Sequence, residues 1–120
     1  MRKKILVVED DAAIGDVLYE MLSDAGYAVE LQMDGQAALQ IHEPFPDLLF
    51  LDIRLSGSDG RTICQYIKAK PATRHIPIIL LSTYKDMQRI AKDVGADDFL
   101  TKPFEMEDVL ALVTNYLGGR

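Results

Sequence analysis

Short apolar runs alternate along this chain with longer segments of helical periodicity. The runs cover residues 5–8, 48–51 and 78–81, and weaker strand patterns cover residues 28–32 and 98–101. Continuous apolar runs of this length are typical of strands that are buried on both faces of a parallel sheet. Because a helical segment follows each run, the pattern predicts an α/β fold, a doubly wound five-stranded parallel sheet with helices on both faces.

Apolar residues recur at helical spacing after each predicted strand, which indicates five amphipathic helices. Asp11 is placed to cap the first helix. The second helix should stop near His42, because Pro44 and Pro46 follow. The expected inward-facing residues are, helix by helix, Ile14, Val17, Leu18, Met21 and Leu22; Ala37, Ala38 and Ile41; Ile63, Tyr66 and Ile67; Met87, Ile90, Ala91 and Val94; and Met106, Val109, Leu110, Val113 and Leu117.

Length and composition limit the classes of function. The 120 residues fit one domain, spanning residues 1–120. A net charge of −6 argues against a domain that grips a phosphate backbone. No apolar run approaches the ~18 residues of a membrane span, and the start of the chain is too poor in apolar residues for a signal peptide. Cys64, the only cysteine, cannot form an internal disulfide. We therefore expect a cytoplasmic chain that contacts neither a membrane nor nucleic acid directly.

Polar side chains stand at the carboxyl ends of the predicted strands. Glu9 and Asp10 follow the first strand, Asp52 the third, Ser82 the fourth and Lys102 the fifth. A single aspartate in such a place would usually be a turn residue. Because the carboxyl ends of parallel strands share one edge of the sheet, we expect three acids, a hydroxyl and a lysine to line one cleft.

These residues and their surroundings resemble a known family. The acid pair Glu9-Asp10, the sequence Asp59-Gly60 downstream of Asp52, and the run Lys102-Pro103-Phe104 occur in the order found in the receiver domains of two-component response regulators, of the chemotaxis-regulator type. The resemblance covers essentially the whole chain. It implies the strand order 2-1-3-4-5 of flavodoxin-like folds.

The resemblance also implies a reaction. Asp52 would take a phosphoryl group from a sensor histidine kinase or a phosphotransfer protein and form an acyl phosphate. Lys102, which would follow a strand and precede a cis peptide bond to Pro103, would balance the charge of the phosphoryl oxygens, and the Ser82 hydroxyl would donate a hydrogen bond to one of them. Such a chain would catalyse only its own phosphorylation and dephosphorylation, and would not be a metabolic enzyme.

A magnesium site belongs to the same resemblance. The implied ligands of Mg²⁺ are the carboxylates of Asp10 and Asp52 and the backbone carbonyl of Arg54, with Glu9 acting through water. Hard oxygen ligands of this kind suit Mg²⁺, and a divalent cation would relieve the repulsion among the acids.

Signalling in the family implies two switch residues, Ser82 and Phe99. Ser82 would be drawn toward the phosphoryl group while Phe99 rotates inward, and the surface built by helix four, strand five and helix five would be remodelled. The downstream partner would be an effector protein or an output domain outside this chain, and a dimer could form on phosphorylation.

Three features depart from the family or tune it. Ser56 stands where the family usually has proline, which should loosen the loop after Asp52. Arg54 and Tyr84 stand at positions that flank the pocket, and we hypothesise that their bulk slows attack by water on the acyl phosphate. The segment between Ser82 and Phe99 is also shorter than is usual in the family.

Other functions remain open from the sequence alone. A receiver-like interaction module that is not phosphorylated would not need the full set of acids, hydroxyl and lysine. A flavin carrier of similar topology would need a phosphate-binding loop where this chain has Glu9-Asp10-Asp11. A hydrolase that uses an aspartyl phosphate would need a second domain to cover the cleft. His42 and His75 are expected at the surface, without a role.

Overall fold

The computed structural model describes residues 2–118. Five strands alternate with five helices, as the sequence predicts. The elements are β1 (Lys4–Val8), α1 (Ala12–Asp24), β2 (Ala28–Gln32), α2 (Gly35–Leu39), β3 (Leu48–Asp52), α3 (Gly60–Ala69), β4 (Ile78–Ser82), α4 (Met87–Val94), β5 (Asp98–Thr101) and α5 (Met106–Leu117). Met1, Gly119 and Arg120, which belong to the predicted domain 1–120, lie outside the described residues.

The strands form one parallel sheet in the order 2-1-3-4-5. This confirms both the predicted fold class and the strand order implied by the resemblance. Of the three inner strands, β3 and β4 are buried along their whole length and β1 at all residues but Lys4, because helices cover both faces of the sheet. The edge strand β2 is only half-buried, which explains its weaker apolar pattern.

Alternate residues of each strand point into two separate cores. Leu49, Leu51 and Leu80 pack with residues of α3 and α4 on one face. Phe50 and Leu81 pack with residues of α1 and α5 on the other face. The two helical layers therefore cover the sheet on both sides. Among residues 2–118, none of the helices has the length and apolar character needed to cross a membrane.

For three residues the prediction of an inward-facing position is wrong. Val17 and Met106 are each 55% exposed, and Tyr66 is 42% exposed. Each lies at the margin of an apolar stripe, and each helix buries only the narrower set of residues that faces the sheet directly. Cys64 takes an inward position in α3 beside Ile63 and Ile67. Helix α2 also ends at Leu39, earlier than the prolines alone predicted.

A short antiparallel hairpin replaces the loop expected after Asp52. Its two arms are Arg54–Leu55 and Ser58–Asp59, and Gly57 at its tip has a φ of +70°. Leu55 is only 7% exposed and joins the core beneath α3. The hairpin is thus anchored to the body of the domain.

Gly60 brings the start of α3 against the end of β3. Its N–H donates to the carbonyl of Ile53 over 2.8 Å. A Cβ atom at Gly60 would overlap the carbonyl oxygen of Asp52 and would lie 2.8 Å from the Cα of Ile53. Both neighbours are backbone atoms, so a side chain at this position could fit only if α3 or the end of β3 moved.

Gly60→Ala is expected to lower the free energy of unfolding by about 1–3 kcal/mol, because the new methyl group overpacks a contact between two backbones. Urea denaturation followed by circular dichroism measures the change. Gly15→Ala is the matched control, since its Cβ would meet only the end of the flexible Leu31 side chain, at 3.0 Å. A Gly60→Ala variant as stable as Gly15→Ala would contradict this account of the contact.

Candidate functional site

The carboxyl edge of the sheet brings together four of the predicted site residues. Glu9 and Asp10 directly follow β1, and Asp52 is the last residue of β3. One oxygen from each of these carboxylates lies within 4.8 Å of the others. Lys102 directly follows β5. Its ammonium lies 2.8 Å from Oε1 of Glu9 and 3.3 Å from Oδ1 of Asp52. The Lys102–Pro103 peptide bond is cis, as the resemblance implied.

Backbone amides hold each of the three acids. The N–H of Asp11 donates to Oε2 of Glu9 over 3.2 Å, and the N–H of Arg54 approaches Oδ1 of Asp52 at 3.4 Å. The N–H of Ser56, at the tip of the hairpin, donates to Oδ2 of Asp10 over 2.9 Å. Sequence reasoning missed the Ser56 contact, because the two residues are 46 positions apart and no local pattern predicts where a hairpin tip points.

The two predicted switch residues, Ser82 and Phe99, are held by contacts outside the acid cluster. Ser82 is buried at the end of β4, and its hydroxyl accepts a hydrogen bond from the N–H of Tyr84 over 3.0 Å. Within residues 2–118 it makes no hydrogen bond to an acid of the cleft. Phe99 is half-buried on β5 and packs against the core formed with α3 and α4. The sheet therefore places Ser82 at the carboxyl end of β4 and Phe99 within the neighbouring strand β5.

Burial and crowding shift the ionisation of the site. Burial, together with the neighbouring Asp52 carboxylate, raises the pKa of Glu9 to about 7, although the Lys102 ammonium works in the opposite direction. Burial alone would lower the pKa of Lys102, but the contacts with Glu9 and Asp52 outweigh it and raise that pKa. The contacts with the two carboxylates therefore favour the charged form of Lys102, and the raised pKa favours the neutral form of Glu9.

A family model described as the response regulator receiver domain matches residues 5–114. The chain belongs to this family. The receiver domain is 41% identical, over 116 residues, to the DNA-binding dual master transcriptional regulator RpaA of Synechocystis sp.. That match covers 92% of this chain and 47% of the relative, so the receiver domain spans about half the length of that protein.

Solved structures agree with this assignment. A Chloroflexus aurantiacus protein described as a response regulator matches with a TM-score of 0.90 and 35% identity, covering 98% of this chain and 99% of that one. The receiver domain of the sensor histidine kinase PA1611 from Pseudomonas aeruginosa, solved with a magnesium ion coordinated in its active site cleft, matches with a TM-score of 0.87 and 30% identity over 98% and 99% of the two chains. The chain is accordingly a phosphoacceptor receiver domain of a two-component system, and the flavin carrier and the hydrolase are not supported.

The carboxylates of the cleft fit the magnesium ion that the family implies. Mg²⁺ prefers hard oxygen ligands, and Glu9, Asp10 and Asp52 form a cluster of such oxygens. Oε1 of Glu9 is fully buried, and the Lys102 ammonium lies 2.8 Å from it. The fit to Mg²⁺ therefore rests on the three clustered carboxylates.

Arg61 joins the two segments that border the cleft. Its guanidinium donates to both carboxylate oxygens of Asp59, over 3.1 and 2.8 Å, and these bonds hold the pKa of Asp59 below its usual value. The same guanidinium lies 5.6 Å from the centre of the Tyr84 ring. The sequence did not single out Arg61, because its partners are set by the packing of α3 against the loop after β4.

An apolar groove of about 250 Å³ adjoins the cleft beside Lys102. It separates the start of α1 from the segment that follows β5. Its lining residues are Ala13, Ile14, Val17, Lys102, Pro103 and Phe104. Val17, whose exposure contradicted the sequence prediction, is one of the residues that line this groove.

Glu9→Gln is expected to become progressively more stable than the wild type as the pH rises from about 4.5 to about 7. In this interval the folded state keeps the Glu9 proton and the unfolded state has lost it, so the wild type loses stability with rising pH, by up to about 1.4 kcal/mol per pH unit. Urea denaturation across the pH range, without divalent cations, measures the difference. Glu20→Gln, on the exposed surface of α1, is the control. A constant difference between Glu9→Gln and the wild type would contradict the raised pKa.

Proposed function

We propose that Asp52 is the phosphoacceptor of this receiver domain, which we take to extend over residues 1–120. The observation that carries the proposal is the position of the Asp52 carboxylate, 3% exposed at the end of β3, between the acids that follow β1 and the ammonium of Lys102. The donor is a phosphohistidine on a sensor histidine kinase or on a phosphotransfer protein. The chain catalyses its own phosphorylation and dephosphorylation and no metabolic reaction.

In the proposed step, an oxygen of the Asp52 carboxylate attacks the phosphorus of the donor. A bond forms between this oxygen and phosphorus, the bond between phosphorus and the histidine nitrogen breaks, and the imidazole leaves with the electron pair. The product is an acyl phosphate on Asp52. Reactions of this type depend mainly on positioning and on the balance of charge.

Lys102 supplies positive charge at the point where the phosphoryl oxygens would lie. Its ammonium already contacts both Glu9 and Asp52, so it needs little movement to follow charge from the carboxylate to the phosphoryl group. Ser82 would donate a hydrogen bond to a phosphoryl oxygen with its hydroxyl proton, which it does not use when it accepts from Tyr84. Both roles are part of the proposal.

Asp10, Asp52 and the backbone carbonyl of Arg54 would hold Mg²⁺, with Glu9 acting through water. When bound, the cation neutralises part of the negative charge that the acids and the phosphoryl group bring together. The clustering of the three carboxylates supports this assignment.

Signalling would pass from Ser82 and Phe99 to the surface of α4, β5 and α5. Ser82 lies opposite Thr101 in the register between β4 and β5, and Phe99 lies two residues before Thr101. The Asp98 carboxylate accepts from the N–H of Phe99 over 2.9 Å and from the hydroxyl of Tyr116 on α5 over 3.2 Å. A movement of Phe99 would therefore be felt at α5.

The partners downstream are also proposed. The output is an effector protein or an output domain outside this chain, and phosphorylation could favour a dimer. RpaA is described as DNA-binding, whereas this receiver domain matches only 47% of its length. We place the chain in the cytoplasm, where a single buried thiol such as Cys64 stays reduced.

Asp52→Asn is expected to abolish labelling by acetyl phosphate in the presence of Mg²⁺, because the amide cannot act as the nucleophile. Intact-protein mass spectrometry and gels that retard phosphoproteins measure the labelling. Asp24→Asn, at the exposed end of α1, is the matched control and should label like the wild type. A wild-type chain that never labels would favour the receiver-like module that signals without phosphorylation, and an Asp52→Asn variant that still labels would place the phosphoacceptor elsewhere.

Arg54→Ala is expected to shorten the lifetime of the acyl phosphate several-fold, because Arg54 is exposed on the hairpin beside Asp52 and its bulk would impede water. The decay of the labelled protein is followed after removal of the donor. Loss of labelling is not expected, since the proposed metal ligand at this position is the backbone carbonyl. If the lifetime matches that of the wild type, Arg54 does not shield the acyl phosphate.

A further inference from the structure

We propose that the backbone N–H of Ser56 is a positioning group that orients Asp10 for the cation. The N–H donates to Oδ2 of Asp10 over 2.9 Å, the usual length of a hydrogen bond from a backbone amide to an oxygen. This inference rests on the proposed magnesium site, but it concerns a group that touches neither the metal ion nor the phosphoryl group.

The bond from Ser56 differs from the other amide contacts in the cleft. Glu9 and Asp52 each accept from an amide two residues further along the chain, so their contacts belong to local turns. Asp10 accepts from a residue 46 positions away, across the gap between the end of β1 and the hairpin. Its orientation therefore depends on the position of the hairpin.

The hairpin is held firmly enough to serve this purpose. Leu55, next to Ser56, is 7% exposed and packs in the core. Ser58, on the other arm, lies against the start of α2, where a Cβ at Gly35 would approach the Ser58 Cβ to 2.8 Å. The close contact of Gly60 with the end of β3 fixes the base of the hairpin. These three contacts fix the position of the hairpin, and with it the position of the Ser56 N–H.

A donor fixed on Oδ2 orients the plane of the Asp10 carboxylate and leaves Oδ1 available to a cation. Groups that hydrogen-bond to the ligands of a metal ion in this way typically contribute about 10–100-fold to its affinity. The bond also withdraws some negative charge from Asp10, which lessens its repulsion with Glu9 and Asp52. Both effects favour an acid cluster that is already arranged when the ion arrives.

Ser56→Pro removes the donor, and Ser56→Ala keeps it. Proline suits this position, because a turn with glycine at positive φ commonly has proline just before that glycine, as Gly57 would allow at φ +70°. Isothermal titration with MgCl₂ is expected to show about tenfold weaker binding for Ser56→Pro, and unchanged binding for Ser56→Ala. The circular dichroism spectrum and the urea midpoint of each variant report whether it is folded.

Amide chemical shifts provide a second measurement that does not require a proline. In the wild type the Ser56 amide proton should be shifted downfield by its charged acceptor, and Asp10→Asn should move it upfield. Addition of MgCl₂ should perturb this resonance in the wild type. An unchanged Ser56 resonance in Asp10→Asn would overturn the inference whether or not Ser56→Pro folds.

The remaining outcomes separate the two proposals. Folded Ser56→Pro that binds Mg²⁺ as tightly as the wild type, or more tightly, overturns the role of the Ser56 amide and leaves the metal site intact. If Ser56→Ala also binds Mg²⁺ weakly, the serine side chain and not the amide is responsible, and the inference is overturned. A wild-type chain with no measurable affinity for Mg²⁺ would overturn the proposed metal site itself.

Discussion

The repulsion among three carboxylates at one edge of the sheet is the constraint on which the site depends. At a separation of 4 Å, each pair of charges costs roughly 1 to 4 kcal/mol for effective dielectric constants between those of water and of a protein surface. The structure offsets this cost with the Lys102 ammonium, with backbone amides, and with the pKa of Glu9, which burial raises to about 7 and which favours the neutral form of that side chain. A divalent cation bound by the acids would offset the same repulsion. Because the cation and the Glu9 proton would compete, metal affinity would depend on pH.

Lys102 connects this electrostatic balance to the rest of the fold. It extends from the end of β5 to acids that belong to β1 and β3, and its own N–H donates to the carbonyl of Ser82 on β4 over 2.8 Å. The Asp52 carboxylate is therefore in electrostatic contact with the residue that follows β5. The same strand carries Phe99, and the neighbouring Asp98 accepts a hydrogen bond from the hydroxyl of Tyr116 on α5.

The hairpin after β3 has a comparable role on the opposite side of the cleft. Leu55 ties it to the core, Gly60 lets α3 begin directly against Asp52, and Ser56 reaches back to Asp10. The cleft is thus enclosed by segments whose positions are fixed by packing rather than by the chemistry of their side chains. Arg61 is an exception, because it connects Asp59 to the loop after β4 through an ion pair and a contact of its guanidinium with the Tyr84 ring.

The sequence by itself determined the strands, their order of appearance, and the acids, hydroxyl and lysine at their carboxyl ends. For the three inner strands it could do so because a strand buried on both faces is apolar nearly throughout, so the first polar residue marks its end. The spacing of apolar residues could not distinguish the margin of an apolar helix stripe from its centre. For that reason the predicted burial of Val17, Tyr66 and Met106 was wrong. Only the tertiary structure decided that the Ser56 N–H donates to Asp10, that Arg61 lies near Tyr84, and that burial raises the pKa of Glu9 to about 7. These features depend on distances between segments remote in sequence, and on the burial that results when those segments pack together.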